Sequence, residues 1–214
     1  MLHHFLMVHG FGEKRVHFHC DNCSGQYKNR FLMFYMMYRI LAGLHDDRVV
    51  SFLPVGHTKF LPDWCFGLLK RHFKRLKVGC LDDIVKVVNE SANPNVAQLV
   101  GSQNGEMIVP MYNWSNYFDE VAVKTALKGI TQMYHFHFTS KHPGKVFVKN
   151  NINDDERCIN LLRDPSWRPS QLPQLLTPPG LSLERQHYLY DKIREFCPEE
   201  CRDLVCPKPQ HPLS

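Results

Sequence analysis

The sequence predicts an α/β fold: a parallel strand-helix-strand-helix unit with additional β hairpins and a Pro-rich, helical C-terminal arm. Three observations predict it. Residues 15–77 run through strand, helix, strand and helix patterns in the order that calls for a right-handed parallel crossover. Residues 96–162 carry further short strand patterns, and nine of the 14 Pro fall in the last 50 residues, beginning at Pro165.

Arg15-Val16-His17-Phe18-His19-Cys20-Asp21 alternates as a strand does. Val16, Phe18 and Cys20 share one face and His17, His19 and Asp21 the other. Asn22-Cys23-Ser24-Gly25 supplies turn and cap chemistry for a helix over 26–44, which the Gly43 region ends. The apolar stretch Phe31–Leu44 is broken by Arg39 and too short to span a membrane, so it reads as a buried helix. Residues 48–55 form a second strand and 61–77 a second helix, with Pro62 tolerated in its first turn. On that helix Leu61, Cys65, Leu68, Leu69, His72 and Leu76 share one face, opposite Asp63, Lys70, Lys74 and Lys77. A short helix follows over 81–91, then hairpin strands over 96–101 and 106–112 around Ser102-Gln103-Asn104-Gly105. A helix over 114–127 precedes strands at 133–139, 145–149 and 158–162. Residues 165–181 exclude regular structure through their Pro content, and 182–196 form a helix with Leu189, Ile193 and Phe196 on one face. The expected organisation is a partial domain with its β extension over 1–162, a Pro-rich linker over 163–181, and a C-terminal helix with a Cys/Pro-rich tail over 182–214.

A chain of 214 residues with 43% hydrophobic and 22% charged residues has an ordinary globular composition, which excludes a disordered, collagenous or coiled-coil protein. Its net charge of +5 permits an anionic partner without demanding one. The eight Cys accompany no secretory start: Phe5-Leu6-Met7-Val8 is too short for a signal core and lacks a cleavage site. Thiols in a reducing, intracellular compartment, the nucleus included, are expected.

Asp21 stands at the carboxyl end of a strand, where ligands of open α/β sheets bind; the alternative is that it caps the following turn. Gly56-His57-Thr58-Lys59-Phe60-Leu61-Pro62-Asp63 follows the second strand, so Asp21 and Asp63 are expected in one crevice. Two such carboxylates suit Mg²⁺ or Mn²⁺ in phosphoryl chemistry, and His57 suits positioning a water or leaving group. A loop imidazole bonded to backbone explains His57 as well. Lys70, Arg71, Lys74, Arg75 and Lys77 place five cations in eight residues, suited to nucleic-acid phosphates, with Lys28 and Lys59 flanking the same cleft. A solvated helix face is the alternative. Trp64, Trp114 and Trp167 read as packing residues. Zinc is not expected: the gap from Cys23 to Cys197 matches no familiar spacing, and Cys197, Cys201 and Cys206 read as free thiols beside Pro198.

Asp-Asn-Cys-Ser-Gly-Gln-Tyr-Lys-Asn after a strand, then Gly-His-Thr and an Asp six residues past the His, resembles an uncharacterised, transposon-associated family of domain of unknown function. Its members resemble the ribonuclease H-like core of transposases and integrases, and the likeness runs from Val16 to the strands near Leu162. The resemblance implies that Asp21 matches the second acidic position of that core, at the end of its fourth strand. His57 and Asp63 match the His and the third acidic position. It also implies metal-dependent phosphodiester cleavage or strand transfer as the ancestral chemistry, with Asp21 and Asp63 as metal ligands, by analogy of fold. The chain departs from the pattern at its start: Met1–Lys14 cannot hold a three-strand meander carrying the first Asp, and Glu13 is its one carboxylate. The core is therefore expected to be incomplete and inactive alone, with DNA or RNA as partner, no membrane, and self-association through an uncovered sheet edge. The rival readings are a non-catalytic nucleic-acid-binding or protein-interaction module, and a small zinc-stabilised binding protein.

Overall fold

The computed structural model describes residues 1–23, 25–54, 61–102 and 104–212. The chain divides into two compact units, Met1–Thr58 with Val109–Leu176, and Lys59–Ile108 with Thr177–Ser214. This partition cuts across the boundaries expected at 162 and 181, because residues 59–108 group with the C-terminal arm and not with the sheet. Seven α-helices and one five-stranded mixed sheet lie among the described residues. No described helix is long and apolar enough to cross a membrane.

The first unit holds the sheet: β1 Arg15–Cys20, β2 Asp47–Phe52, β3 His135–Thr139, β4 Lys145–Lys149 and β5 Arg157–Asn160, in spatial order β1-β2-β3-β4-β5. β1 and β2 are parallel, joined through helix α2 (Arg30–Leu41), and Cys20 lies beside Phe52, so the two strands end together. β3, β4 and β5 then add an antiparallel meander to the other side of β2. A meander does exist in this chain, but it follows the Asp21 strand instead of preceding it. The N-terminal residues form helix α1 (Leu2–Val8).

α2 begins at Arg30 and not near Gln26. The backbone N–H groups of Gln26, Tyr27 and Lys28 all donate to the Cys23 carbonyl in a tight turn, and the Asn29 side chain then caps the helix by accepting from Leu32 N. Eight consecutive residues of α2, Met33–Ile40, are buried, the pattern of a helix covered all round. They pack with Val50, Phe52, Phe136, Phe138, Val146 and Val148 on one face of the sheet. Phe118 of helix α5 (Trp114–Val121) meets Phe34 with ring centroids 5.7 Å apart. α5 stops short of Leu127 because Ala122 bridges to Leu162 and Val123 N donates to the Leu161 carbonyl.

The second unit packs helix α3 (Leu61–Phe73) against α4 (Leu81–Ser91). Cys65, Leu68, Leu69 and His72 of α3 are half-buried, while Leu61 and Leu76, expected on the same apolar face, are exposed. The 96–112 hairpin is reduced to a Gly101–Met107 bridge, since Val100 and Ile108 remain exposed and bury no common face. The C-terminal arm carries α6 (Leu183–Tyr188), a π-helical turn Leu189–Ile193, a 3-10 turn Arg194–Phe196 and α7 (Arg202–Val205). Each change of pitch rotates the following residues, so Phe196 is 76% exposed and does not continue the face of Leu189 and Ile193.

Candidate functional site

Asp21 follows β1, the edge strand of the sheet, and is half-buried. The turn that follows it includes residue 24, which lies outside the described residues, and the cap of α2 itself is Asn29. Its neighbour Asn22 donates to the Tyr134 hydroxyl at 3.3 Å. Asp63 lies exposed in the first turn of α3, in the second unit. Neither unit by itself assembles the two carboxylates. His57 and Lys59 lie outside the described residues.

A divalent metal held for phosphoryl transfer needs oxygen ligands converging on one point. Asp21 belongs to no described group of three His, Cys, Asp or Glu ligand atoms. A pair of carboxylates is too few to form such a group, and His57 lies outside the described residues.

Lys28 is corrected as a phosphate contact. It is 2% exposed, its ammonium donates to the Thr131 carbonyl at 2.7 Å, and it sits 3.8 Å from the centre of the Tyr134 ring. Burial holds its pKa below the ordinary lysine value.

The remaining cations stand in the open. Lys70, Arg71, Lys74, Arg75 and Lys77 are all exposed, and Lys77 pairs with Glu200 at 3.9 Å. The helical turn runs on past Phe73, with Lys74 N donating to Lys70 O at 3.2 Å and Arg75 N to His72 O at 3.0 Å. Lys70 to Arg75 therefore span about 8 Å along one helical axis, at about 1.5 Å per residue, with Lys77 beyond the turn. Trp64 and Phe66 of the same helix are 57% and 62% exposed, so Trp64 is not the packing residue expected from the sequence. Trp114 and Trp167 do pack against the core of the first unit.

Sequence reasoning missed three clusters. On the sheet face opposite α2, Ser51 Oγ lies 2.8 Å from His17 Nε2 and 3.0 Å from His135 Nδ1, while His137 Nε2 meets Asp47 Oδ2 at 2.8 Å. Burial and neighbouring cationic groups lower the pKa of His17 and His135, leaving a neutral imidazole–hydroxyl–imidazole chain. The signal was present as His-Phe-His in two strands whose pairing could not be read. The second cluster is buried against α2: Arg39 Nε donates to His45 Nδ1 at 3.0 Å, and Arg48 is wholly enclosed. The third joins Cys80, Asp83 and Cys201.

No curated protein and no solved structure matches the chain significantly, and no comparison links it to transposase or ribonuclease H-like proteins. One family model matches residues 2–154, more than two thirds of the sequence, and the chain belongs to that family, described as Domain of unknown function (DUF7869).

Proposed function

We propose that this chain is a nucleic-acid-binding protein of transposase-type ancestry that holds phosphates through the basic run of α3 and does not cleave them. The observation that carries the reading is the exposure of Lys70, Arg71, Lys74 and Arg75 along about 8 Å of one helical run. At about 3.4 Å per nucleotide along a strand, that length meets about three phosphates. Exposed Trp64 and Phe66 on the same helix add flat apolar surfaces on which unpaired bases stack, which favours single strands over duplex. The ribonuclease H-like part of the reading rests on the parallel β1-α2-β2 crossover and on the motif blocks around Asp21, His57 and Asp63. That it does not cleave them is an expectation carried with this reading, tested by incubation with Mg²⁺ or Mn²⁺.

Fluorescence anisotropy of labelled DNA and RNA oligonucleotides, titrated at rising KCl, tests it. About three phosphate contacts give a log–log salt slope of about −2 to −3. Replacing Lys70 and Lys74 together by Ala flattens that slope by about one unit per lost contact. Salt-independent affinity, or an unchanged slope in the double variant, refutes the reading. It would leave the exposed Trp64 and Phe66 as a protein-interaction surface.

A further inference from the structure

Cys80 caps α4: its sulfur accepts from the Asp83 backbone N–H, and the Asp83 carboxylate turns back to accept from Gly79 N at 2.8 Å and Cys80 N at 3.1 Å. Both backbone donors fall on Oδ2, and the Cys80 thiol also hydrogen-bonds the carboxylate, so the thiol proton that metal binding displaces already lies between two of the ligands. Cys201 arrives from the 3-10 turn Glu199–Cys201, far along the chain, and is 8% exposed. One ligand atom from each of Cys80, Asp83 and Cys201 lies within 4.8 Å of the other two. Close backbone packing fixes this approach. A Cβ built on Gly79 would stand 2.7 Å from Pro198 Cγ and 3.1 Å from Cys201 Sγ, so the turn after Pro198 rests directly on the 79–80 backbone.

We propose that Cys80, Asp83 and Cys201 bind a zinc ion. Two thiols and a carboxylate from two separate segments make a mixed sulfur–oxygen donor set, which suits borderline-soft Zn²⁺ and not hard Mg²⁺ or Ca²⁺. Thiolates about 2.3 Å from a tetrahedral zinc stand slightly under 4 Å apart, which is compatible with the spacing of these ligand atoms. Three protein ligands leave the fourth position to water. Binding releases the thiol protons and ties the start of α4 to the C-terminal arm. The unit gains by it, because Val87, Cys201 and Cys206 are its buried hydrophobic residues among those described, and a core that small benefits from a staple. Cys197 and Cys206 form a second pair, with sulfurs 3.7 Å apart, outside the three-ligand group.

The test uses the full chain. Purified without chelator, it carries about one zinc per molecule, and Cys80→Ser or Cys201→Ser reduces this to about none. Cys158→Ser, at an exposed position on β5, leaves the zinc content unchanged. Alkylation of the wild-type protein, mapped by mass spectrometry, reports without a variant having to fold: added zinc protects Cys80 and Cys201 and not Cys197. Zinc retained in both serine variants overturns the proposal. So does equal alkylation of Cys80 with and without zinc, loss of zinc on Cys197→Ser with retention in Cys80→Ser, or a Cys80–Cys201 disulfide in protein kept under reducing conditions.

Discussion

Replacing Arg48 by Met stabilises the first unit. Arg48 lies on β2 with no exposed surface, and among the described residues none of its three guanidinium nitrogens has a hydrogen-bond partner. The Phe18 ring lies 4.8 Å from its guanidinium carbon, a contact that compensates only part of the lost hydration. Burial, reinforced by the nearby Arg39 charge, pulls its pKa well below the ordinary arginine value, to about 9. At about 1.4 kcal/mol per unit, that displacement corresponds to an upper limit of about 5 kcal/mol against folding at neutral pH. Met keeps most of the aliphatic stem and removes the charge, and exchanges of this kind stabilise by about 1–4 kcal/mol. With a urea dependence of about 2 kcal/mol per molar, the midpoint rises by about 0.5–2 M. The assay is urea unfolding at pH 7.5, followed by tryptophan fluorescence, with Arg48→Lys as the variant that keeps a cation in place. The penalty is full below pH about 9 and is relieved as pH rises through the folded pKa, so the gap between wild type and Arg48→Met narrows in alkali. A lower midpoint for Arg48→Met refutes the reasoning, because it would mean that the buried charge is compensated in solution.

Three further outcomes follow from the same structure. His45 is 2% exposed and accepts from Arg39, and burial, then the charges of Arg48 and Arg39, lower its pKa from 6.5 to about 4. Its folded pKa lies below the unfolded one, so stability is lost as pH falls from about 6.5 to about 4, by up to about 3 kcal/mol. His45→Gln removes that share of the slope, and identical pH–stability profiles for the two proteins contradict it. Lys28→Met forfeits the bond to the Thr131 carbonyl and the Tyr134 ring contact, lowering stability by about 1–3 kcal/mol. It leaves oligonucleotide affinity unchanged; a parallel loss of affinity would return Lys28 to the binding surface. Incubated with Mg²⁺ or Mn²⁺, the wild-type chain leaves labelled DNA and RNA intact on a denaturing gel, and cleavage abolished by Asp21→Asn contradicts the non-catalytic reading.

The elements with a local signature were legible from the sequence. β1 follows from its alternation, and α4 runs over Leu81–Ser91 as its pattern predicts. α2 was displaced by a turn whose backbone bonds converge on the Cys23 carbonyl, a geometry that composition does not encode. The candidate site was legible only in part. Asp21 and Asp63 were correctly placed after a strand and at a helix start, but a parallel crossover suggests one crevice for both. Packing assigns Asp63, with residues 59–108, to the unit of the C-terminal arm and Asp21 to the unit of the sheet, a grouping the sequence pattern does not encode. Lys28 looked available because its neighbours are polar, and the depth of the Thr131–Tyr134 pocket comes from a segment about 100 residues away. Cys80 drew no notice because its partner Cys201 comes from the far end of the chain, and distant pairs of this kind emerge only from tertiary packing.

The central claim, that nucleic acid is held by the basic run of α3, is tested most directly by mapping where it touches. A single-stranded oligonucleotide carrying photoreactive bases is cross-linked to the full chain, and the modified peptides are sequenced by mass spectrometry. The account predicts adducts within residues 64–77, around Trp64, Phe66, Lys70 and Lys74, that disappear at high salt. Adducts confined to the His-bearing sheet face or to the segment around Asp21, with residues 64–77 unmodified, would contradict it.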